Sequence, residues 1–598
     1  MFRWLFLVSA LFAFLMGNYL WAQRGGGGRS SAPSASHTSV ADPLAPSGAP
    51  PLSLLSPTHH AEEEPRVEFK SQTVLVQTPV VVTDKSGAHV RNLTKADFQI
   101  LENGKEQKLG TFEEITATTS PFPPYAPKPN EFTNLFVDPG QRRMVTIVAI
   151  DTINTPYLDQ VYGRKELIKY LSQHLETGQI FGLVMIGSRG MKVLHPLTSD
   201  SSQLIGVLKK LSGELPAMQE IGIDAQVIAQ NQNALSNPSG LMTPIQLGDD
   251  DIESELRNFV LYGDAAVSGF AQDRAIEMTM TAFLNIAWSV SAIPGRKAIL
   301  WATGGFPFIM DSSSAVPGGN LSLLYERAMK ALNEAEISVY PVDVRGLVNY
   351  LPVADAKFSG PKSGQAMTQA ILGRSWLHAS TLDSLRDFAA MTGGRAYYNN
   401  NDLASGFQRA AEDSSSYYVL GYYLDTHNDK AGWRQLKVKV NKPGVEVRAR
   451  NGFFVTNATM NPDAARKFDE DSAVNSPFDS TSIPITLHWL GMASEGGKKK
   501  VEFALNLPPT GVFINEADKN HFDIDFIAQA NKDGVPVDGA KQVAKGDLTA
   551  EALIKTKAQG VFYKSALELP PGKYDVRVVV RDNLTGRVGS LSVPLTVN

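Results

Sequence analysis

The spacing of apolar residues changes several times along the chain, and each change predicts a different kind of element. Trp4 to Met16 is an apolar run behind Arg3 and ahead of Gly17, Asn18 and the small residue Ala22. A charged start, an apolar stretch of that length and a small residue at its end predict a secretory signal over residues 1–22. An uncleaved N-terminal anchor is the alternative, because the run is bulky, although a spanning helix needs about 20 apolar residues. Residues 23–64, rich in Gly, Ser, Pro and Ala, have nothing to bury, which predicts a disordered tether. From Val67 to Ile115 the signals are strand signals, and Asn103-Gly104 between two such runs predicts a type I′ hairpin. A small β-domain is expected over 65–116, followed by a Pro-rich extended linker over 117–140.

Between residues 141 and 423 apolar runs alternate with helical spacing. Met144 to Ile150 and Ile180 to Ile186 read as strands buried on both faces, with a short partner at Met191 to Leu194. Leu158, Val161, Ile168, Leu171 and Leu175 repeat at helical spacing, as do Leu204, Val207, Leu208 and Leu211. Ala275 to Val290, Leu321 to Leu332 and Leu382 to Met391 are further helical stretches, separated by strands at Ala298 to Trp301 and Ile337 to Val342. This order predicts a doubly wound α/β domain, interrupted by polar insertions at 213–257 and 347–378. Strand signals return over 424–456 as a β-hairpin extension. A linker over 457–482 and a β-sandwich of immunoglobulin-like size over 483–598 complete the fold class, multidomain α/β plus all-β.

Composition narrows the chemistry. A chain of 598 residues exceeds one hydrophobic core, so several domains are required. The net charge of -5 lacks the positive surface that a phosphate backbone needs, which argues against nucleic acid. There is no cysteine, so disulfides, thiolate nucleophiles and Cys-held metals are excluded, and no membrane span is expected beyond the N-terminal segment. His-E-x-x-His, G-x-S-x-G and P-loop patterns are all missing; Gly187-Ser188-Arg189-Gly190 has the wrong spacing. His59-His60 beside Glu62-Glu63-Glu64 lacks a third ligand at set spacing. Lys498-Lys499-Lys500 reads as a solvated turn, and the pairs Tyr397-Tyr398, Tyr417-Tyr418 and Tyr422-Tyr423 as the rim of a core.

One constellation has specific form. Asp151-Thr152-Ile153-Asn154-Thr155 directly follows the first core strand, where a carboxylate and hydroxyls can hold a divalent cation through hard oxygen ligands. Several blocks accompany it in order: Val82-Thr83-Asp84-Lys85-Ser86-Gly87, Leu93-Thr94-Lys95-Ala96-Asp97-Phe98, and Leu101-Glu102-Asn103-Gly104-Lys105. Further on come Pro294-Gly295-Arg296-Lys297, Trp301-Ala302-Thr303-Gly304-Gly305-Phe306-Pro307, Tyr418-Val419-Leu420-Gly421-Tyr422-Tyr423, Val445 to Arg450, and Gly452-Phe453-Phe454. Over residues 67–455 the chain resembles von Willebrand factor type A (VWFA) domain proteins, specifically the VWFA-related domain family of Acidobacteria.

The resemblance implies a Rossmann-like VWA domain over 141–423 and partner binding at a metal-ion-dependent adhesion site. That site is D-x-S-x-S after the first strand, a Thr before a later helix, and an Asp after the fourth strand. Asp151 and Thr155 match it, but Ile153 replaces the middle hydroxyl, Gly304-Gly305 stand where Asp-Gly is expected, and the Thr position falls near Asp273-Arg274, where no Thr sits. A degenerate site for Mg²⁺ or Mn²⁺ at Asp151 and Thr155 is one reading. The favoured one has Asp151 capping the following loop by accepting backbone N–H bonds. The function expected is non-enzymatic: an exported protein, periplasmic, extracellular or envelope-associated, that binds a protein partner. The alternatives are a metal-dependent hydrolase using carboxylates such as Asp151 and Asp311, and a structural envelope component without a ligand.

Overall fold

The computed structural model describes residues 73–116, 128, 130–136, 144–173, 179–211, 272–306, 319–347, 381–425, 432–455, 462–495, 497–516 and 518–598. The expected signal and tether, the insertion 213–257, residues 348–378 of the second insertion and Asp311 lie outside them. Among the described residues no helix is long and apolar enough to cross a membrane.

In chain order the first strands are β1 (Thr73–Asp84), β2 (Phe98–Glu102), β3 (Lys105–Gln107), β4 (Leu109–Thr116) and β5 (Glu131–Thr133). The hairpin between β2 and β3 turns on Asn103 at φ 47° and Gly104 at φ 81°, the two positive φ values that a type I′ turn demands. Then come β6 (Val145–Asp151), α1 (Tyr157–Gln173), β7 (Ile180–Gly187), β8 (Gly190–Thr198), α2 (Ser201–Lys210), α3 (272–290), β9 (Lys297–Thr303), α4 (Gly319–Glu334), β10 (Ile337–Asp343), α5 (381–392) and α6 (Leu403–Glu412). The remainder is β11 (Ser416–Asp425), β12 (Gly432–Val440), β13 (Val445–Ala449), β14 (Gly452–Val455), α7 (Pro462–Asn475), β15 (Thr486–Glu495), β16 (Lys498–Leu507), β17 (His521–Lys532), β18 (Val535–Asp547), α8 (Ala550–Gln559), β19 (Val561–Leu569), β20 (Gly572–Asp582) and β21 (Val588–Val597).

The protein is thus mixed α/β with a large antiparallel content. The central sheet runs β10-β9-β6-β7-β8, parallel except for β8, which pairs antiparallel to β7 at one edge. Every residue of β6, β7, β9 and β10 is buried, because helices cover both faces. Alternate residues of β6 serve the two layers. Val145, Ile147 and Ala149 pack with Phe283 of α3, Leu332 of α4 and Phe388 of α5; Val148 and Ile150 pack with Leu167, Leu204 and Phe407 of α1, α2 and α6.

The helical repeat in α1 does not mark its buried side throughout. Gln160, Gly163, Glu166, Leu167, Tyr170 and Leu171 face the sheet, while Leu158 is exposed. Gly163 sets this rotation: a Cβ there would lie 2.8 Å from Cγ1 of Val344, so the helix sits closer to β10 than any side chain allows.

Two β-modules enclose this layer. The first is assembled from both of its flanks. Sheets β13-β1-β11-β4 and β14-β12-β2-β3 face each other across Val80, Val82, Ile100, Leu420, Tyr422 and Leu436. Strands β1–β4 and β12–β14, set in separate domains by the sequence reading, therefore meet in one module. The second is the C-terminal sandwich, with sheets β19-β16-β15-β5 and β18-β17-β20-β21. Its strand β5 comes from the Pro-rich stretch before the α/β layer. The Asn134 side chain fastens that junction: Nδ2 donates to the carbonyls of Ser480 (2.6 Å) and Ile483 (2.9 Å), and Oδ1 accepts from the backbone N–H of Ile485 (2.9 Å). The chain leaves the sandwich after β5 and returns at Ser480, so the α/β layer and strands β11–β14 of the first β-module are inserted within it, while β1–β4 precede it. Residues 457–482 contain helix α7, where a linker was expected. Its polar sequence is held by charge pairs as well as by Phe468, Ala473 and Val474, which pack on the α/β core.

Candidate functional site

Parallel sheets expose the carboxyl ends of their strands, and here Asp151, Thr303 and Asp343 end β6, β9 and β10 at that edge. The loop after β6 folds back onto β7. Thr152 donates through N and Oγ1 to the Ile186 carbonyl, at 2.9 and 3.0 Å, and Ile153 N donates to the same oxygen. This return buries Ile153 in the core, so its apolar character suits the position. Gln160, in the first turns of α1, closes the loop by donating to the carbonyls of Thr152 (3.2 Å) and Thr155 (2.8 Å).

Asp151 is 1% exposed, and protein donors engage both of its oxygens. Oδ1 accepts from the backbone N–H of Asn154 at 3.0 Å. Oδ2 accepts from Asn154 Nδ2 (2.9 Å), Trp301 Nε1 (3.0 Å) and Thr303 Oγ1 (2.8 Å). Asn154 Nδ2 also reaches Thr279 Oγ1 of α3 at 3.1 Å. Burial pushes the carboxyl up to about 6, against the hydrogen bonds from Asn154, Thr303 and Trp301, which pull it down.

Thr155, the second matched position, is equally committed. Its Oγ1 accepts from Gly304 N at 2.8 Å. Gly304 is packed so closely that a Cβ would lie 2.9 Å from the Asn154 carbonyl oxygen and 3.0 Å from Cα of Thr155. Gly305 has φ 135°, and a Cβ there would meet Cγ2 of Thr381 at 2.2 Å. An acidic side chain at 304 has no room unless the loop moves.

The residues present do not fit a divalent cation. Such an ion needs lone pairs from several oxygens, yet Oδ2 of Asp151 already accepts three donors, the Thr155 hydroxyl is held by Gly304, and Ile153 supplies no ligand. Among the described residues no group of three or more His, Cys, Asp or Glu could hold a metal ion. What the arrangement does is tie the loop after β6 to strand β9 through one carboxylate, and through Asn154 to α3, a fuller form of the capping expected for Asp151.

A second buried carboxylate ends β10, on the far side of β9 from β6. Asp343 accepts from Arg345 Nε and Nη2, both at 2.8 Å, and from Arg345 N at 3.1 Å. The pair is compact and local, so the end of β10 carries no uncompensated charge. Exposed apolar side chains stand on the first turns of α1 and in the loop after β10: Leu158 is 79% exposed, Leu347 63%, Tyr157 44% and Val161 39%. Leu347 N donates to Asn401 Oδ1, and the Asn401 carbonyl accepts from Tyr162 OH, which joins the loop after β10 to the exposed side of α1.

The tyrosine series is mostly structural. Tyr417 accepts from Arg296 N at 2.8 Å, Tyr418 bridges Leu93 N and the Val90 carbonyl, and Tyr422 donates to buried Glu102 at 2.9 Å. Tyr423 alone of that strand's tyrosines is exposed. Lys498, Lys499 and Lys500 open strand β16 instead of forming the turn before it; Lys498 is exposed, and Lys499 and Lys500 are half-buried. Sequence reasoning gave no role to Asn154, which it quoted beside Asp151, nor to Thr279, Trp301, Thr303, Asp343 and Arg345. Trp301 and Thr303 stood in a quoted motif, and their period-two spacing on one strand was the available signal. Thr279, on a helix 125 residues from Asn154, carried none. Searches of protein-family models and of curated proteins find no match to this chain.

Proposed function

We propose that the chain is an exported, non-enzymatic protein of the VWA-like kind that binds a protein partner in the bacterial cell envelope, at the carboxyl edge of its central sheet and without a divalent cation. The carrying observation is the apolar rim of Leu158, Val161, Tyr157 and Leu347 above a floor whose carboxylates are already engaged. Exposed aliphatic and aromatic side chains gathered at one strand-end edge suit a protein surface better than a small polar substrate. The sheet order, with one antiparallel strand at the edge beyond β7, agrees with the resemblance to a Rossmann-like VWA domain. The paired four-stranded sheets at the C-terminus suit an immunoglobulin-like sandwich. A catalytic reading has less support: Asp151 is buried and both of its oxygens are engaged by protein donors.

Leu158→Glu tests the reading, because Leu158 supports no core. Retention of the envelope partner on immobilised protein is expected to fall to background while the circular-dichroism spectrum stays unchanged. Full retention by the variant would overturn the assignment of this edge.

A further inference from the structure

Helix α7 lies between the α/β layer and the C-terminal sandwich, and its charged residues reach both. Asp469 is fully buried. Its Oδ2 accepts from Arg581 Nη2 (2.8 Å) and Nε (3.0 Å) of β20 in the sandwich, while Oδ1 pairs with Arg327 of α4 in the α/β layer. On the sandwich side, Arg466 binds Asp525 of β17 through both of the latter's oxygens, and Glu470 accepts from Lys541 of β18 at 2.5 Å. Arg577 holds the end of the helix, donating to the Ala473 carbonyl through Nε (3.0 Å) and Nη2 (2.8 Å).

The pairs that hold α7 to the sandwich are several, but only Asp469 joins α7 and the sandwich to α4 by charge among these contacts. Its two arginines are close enough to act on each other. Arg327 is pushed down to about 10, first by burial and then by the like charge of Arg581. Asp469 is thus the counter-charge between two cations on two modules. The seam around it is apolar, with Ala473, Phe468, Phe478, Val579 and Val588 packed into the α/β core.

We infer that Asp469 is an electrostatic latch: its charge keeps the C-terminal sandwich docked on the α/β layer, and its loss leaves two facing arginines that release α7 from α4 while each module stays folded. Breaking a buried pair by removing one partner is costly because the other charge remains buried and uncompensated. Here two charges remain, and they repel. Replacing one arginine as well removes that repulsion, and Arg581 retains Asp525 and Glu470 nearby to balance it.

Hydrogen exchange on the full chain tests the latch. In Asp469→Asn, amides of 463–475 are expected to exchange faster by roughly tenfold or more, with β6 and β16 protected as in the wild type. Adding Arg327→Met to the same chain is expected to restore slow exchange in α7. Three results would overturn the inference: unchanged protection of α7 in Asp469→Asn, loss of protection in β6 and β16 together with α7, or failure of Arg327→Met to restore it.

Discussion

Asp151 makes a quantitative prediction because its environment pulls in two directions. Burial pushes its carboxyl from the ordinary 3.8 to about 6, so the folded protein holds this proton more tightly than the unfolded chain does. The sign follows from linkage: the contribution to stability grows as pH falls below about 6 and is lost as pH rises through that value. The full shift corresponds to roughly 3 kcal/mol, of which about 1 to 2 kcal/mol is realised between pH 7 and pH 5. Asp151→Asn removes the titration. It also turns an amide N–H₂ toward groups that are themselves donors, among them Trp301 Nε1 and the backbone N–H of Asn154, at a cost of about 1–3 kcal/mol. The variant should therefore be less stable than the wild type at pH 7, and the gap should widen by roughly 1 to 2 kcal/mol at pH 5. Urea transitions of both proteins at the two pH values measure it, since titrations elsewhere cancel in the difference. A gap that stays constant or closes on acidification would refute the picture of a sealed, hydrogen-bonded carboxylate.

Asn134→Ala deletes a buried amide that makes three hydrogen bonds across the junction between β5 and the segment Ser480–Ile485. A loss of about 2–4 kcal/mol is expected, read as a lower melting temperature, and an unchanged melting temperature would contradict the clasp. Gly305→Ala places a methyl 2.2 Å from Thr381 on a backbone with φ 135°. It should cost about 1–3 kcal/mol, whereas Gly586→Ala, with a positive φ but open space, should cost less in the same calorimetric comparison.

Legibility followed the locality of the signal. The strands β6 and β7 were readable because burial on both faces demands an unbroken apolar run, and Asn103-Gly104 was readable because few residues accept two positive φ values. Asp151 was readable from its place after a core strand. Its partners were not, since Trp301 and Thr303 arrive from 150 and 152 residues away, and Thr279, the partner of Asn154, from 125. In α1 the apolar repeat misled at Leu158, because the buried side is shaped by Gly163 and polar Gln160. Helix α7 escaped notice for a related reason: Arg466, Asp469 and Glu470 bury through charge pairs, and periodicity detects only apolar faces. The same limit hid β5, three residues in a Pro-rich stretch whose pairing depends on β15 more than 350 residues onward, Glu131 lying opposite His488.

The central claim is partner binding at the carboxyl edge of the sheet without a divalent cation. It is tested most directly by photo-cross-linking in envelope extract, with a photo-reactive residue at position 158 and, as control, at the exposed position 535 of β18. The account predicts one cross-linked protein species from position 158, equal in yield with Mg²⁺ and with EDTA, and none of it from position 535. Loss of the species in EDTA, or the same species from position 535 and not from 158, would contradict it.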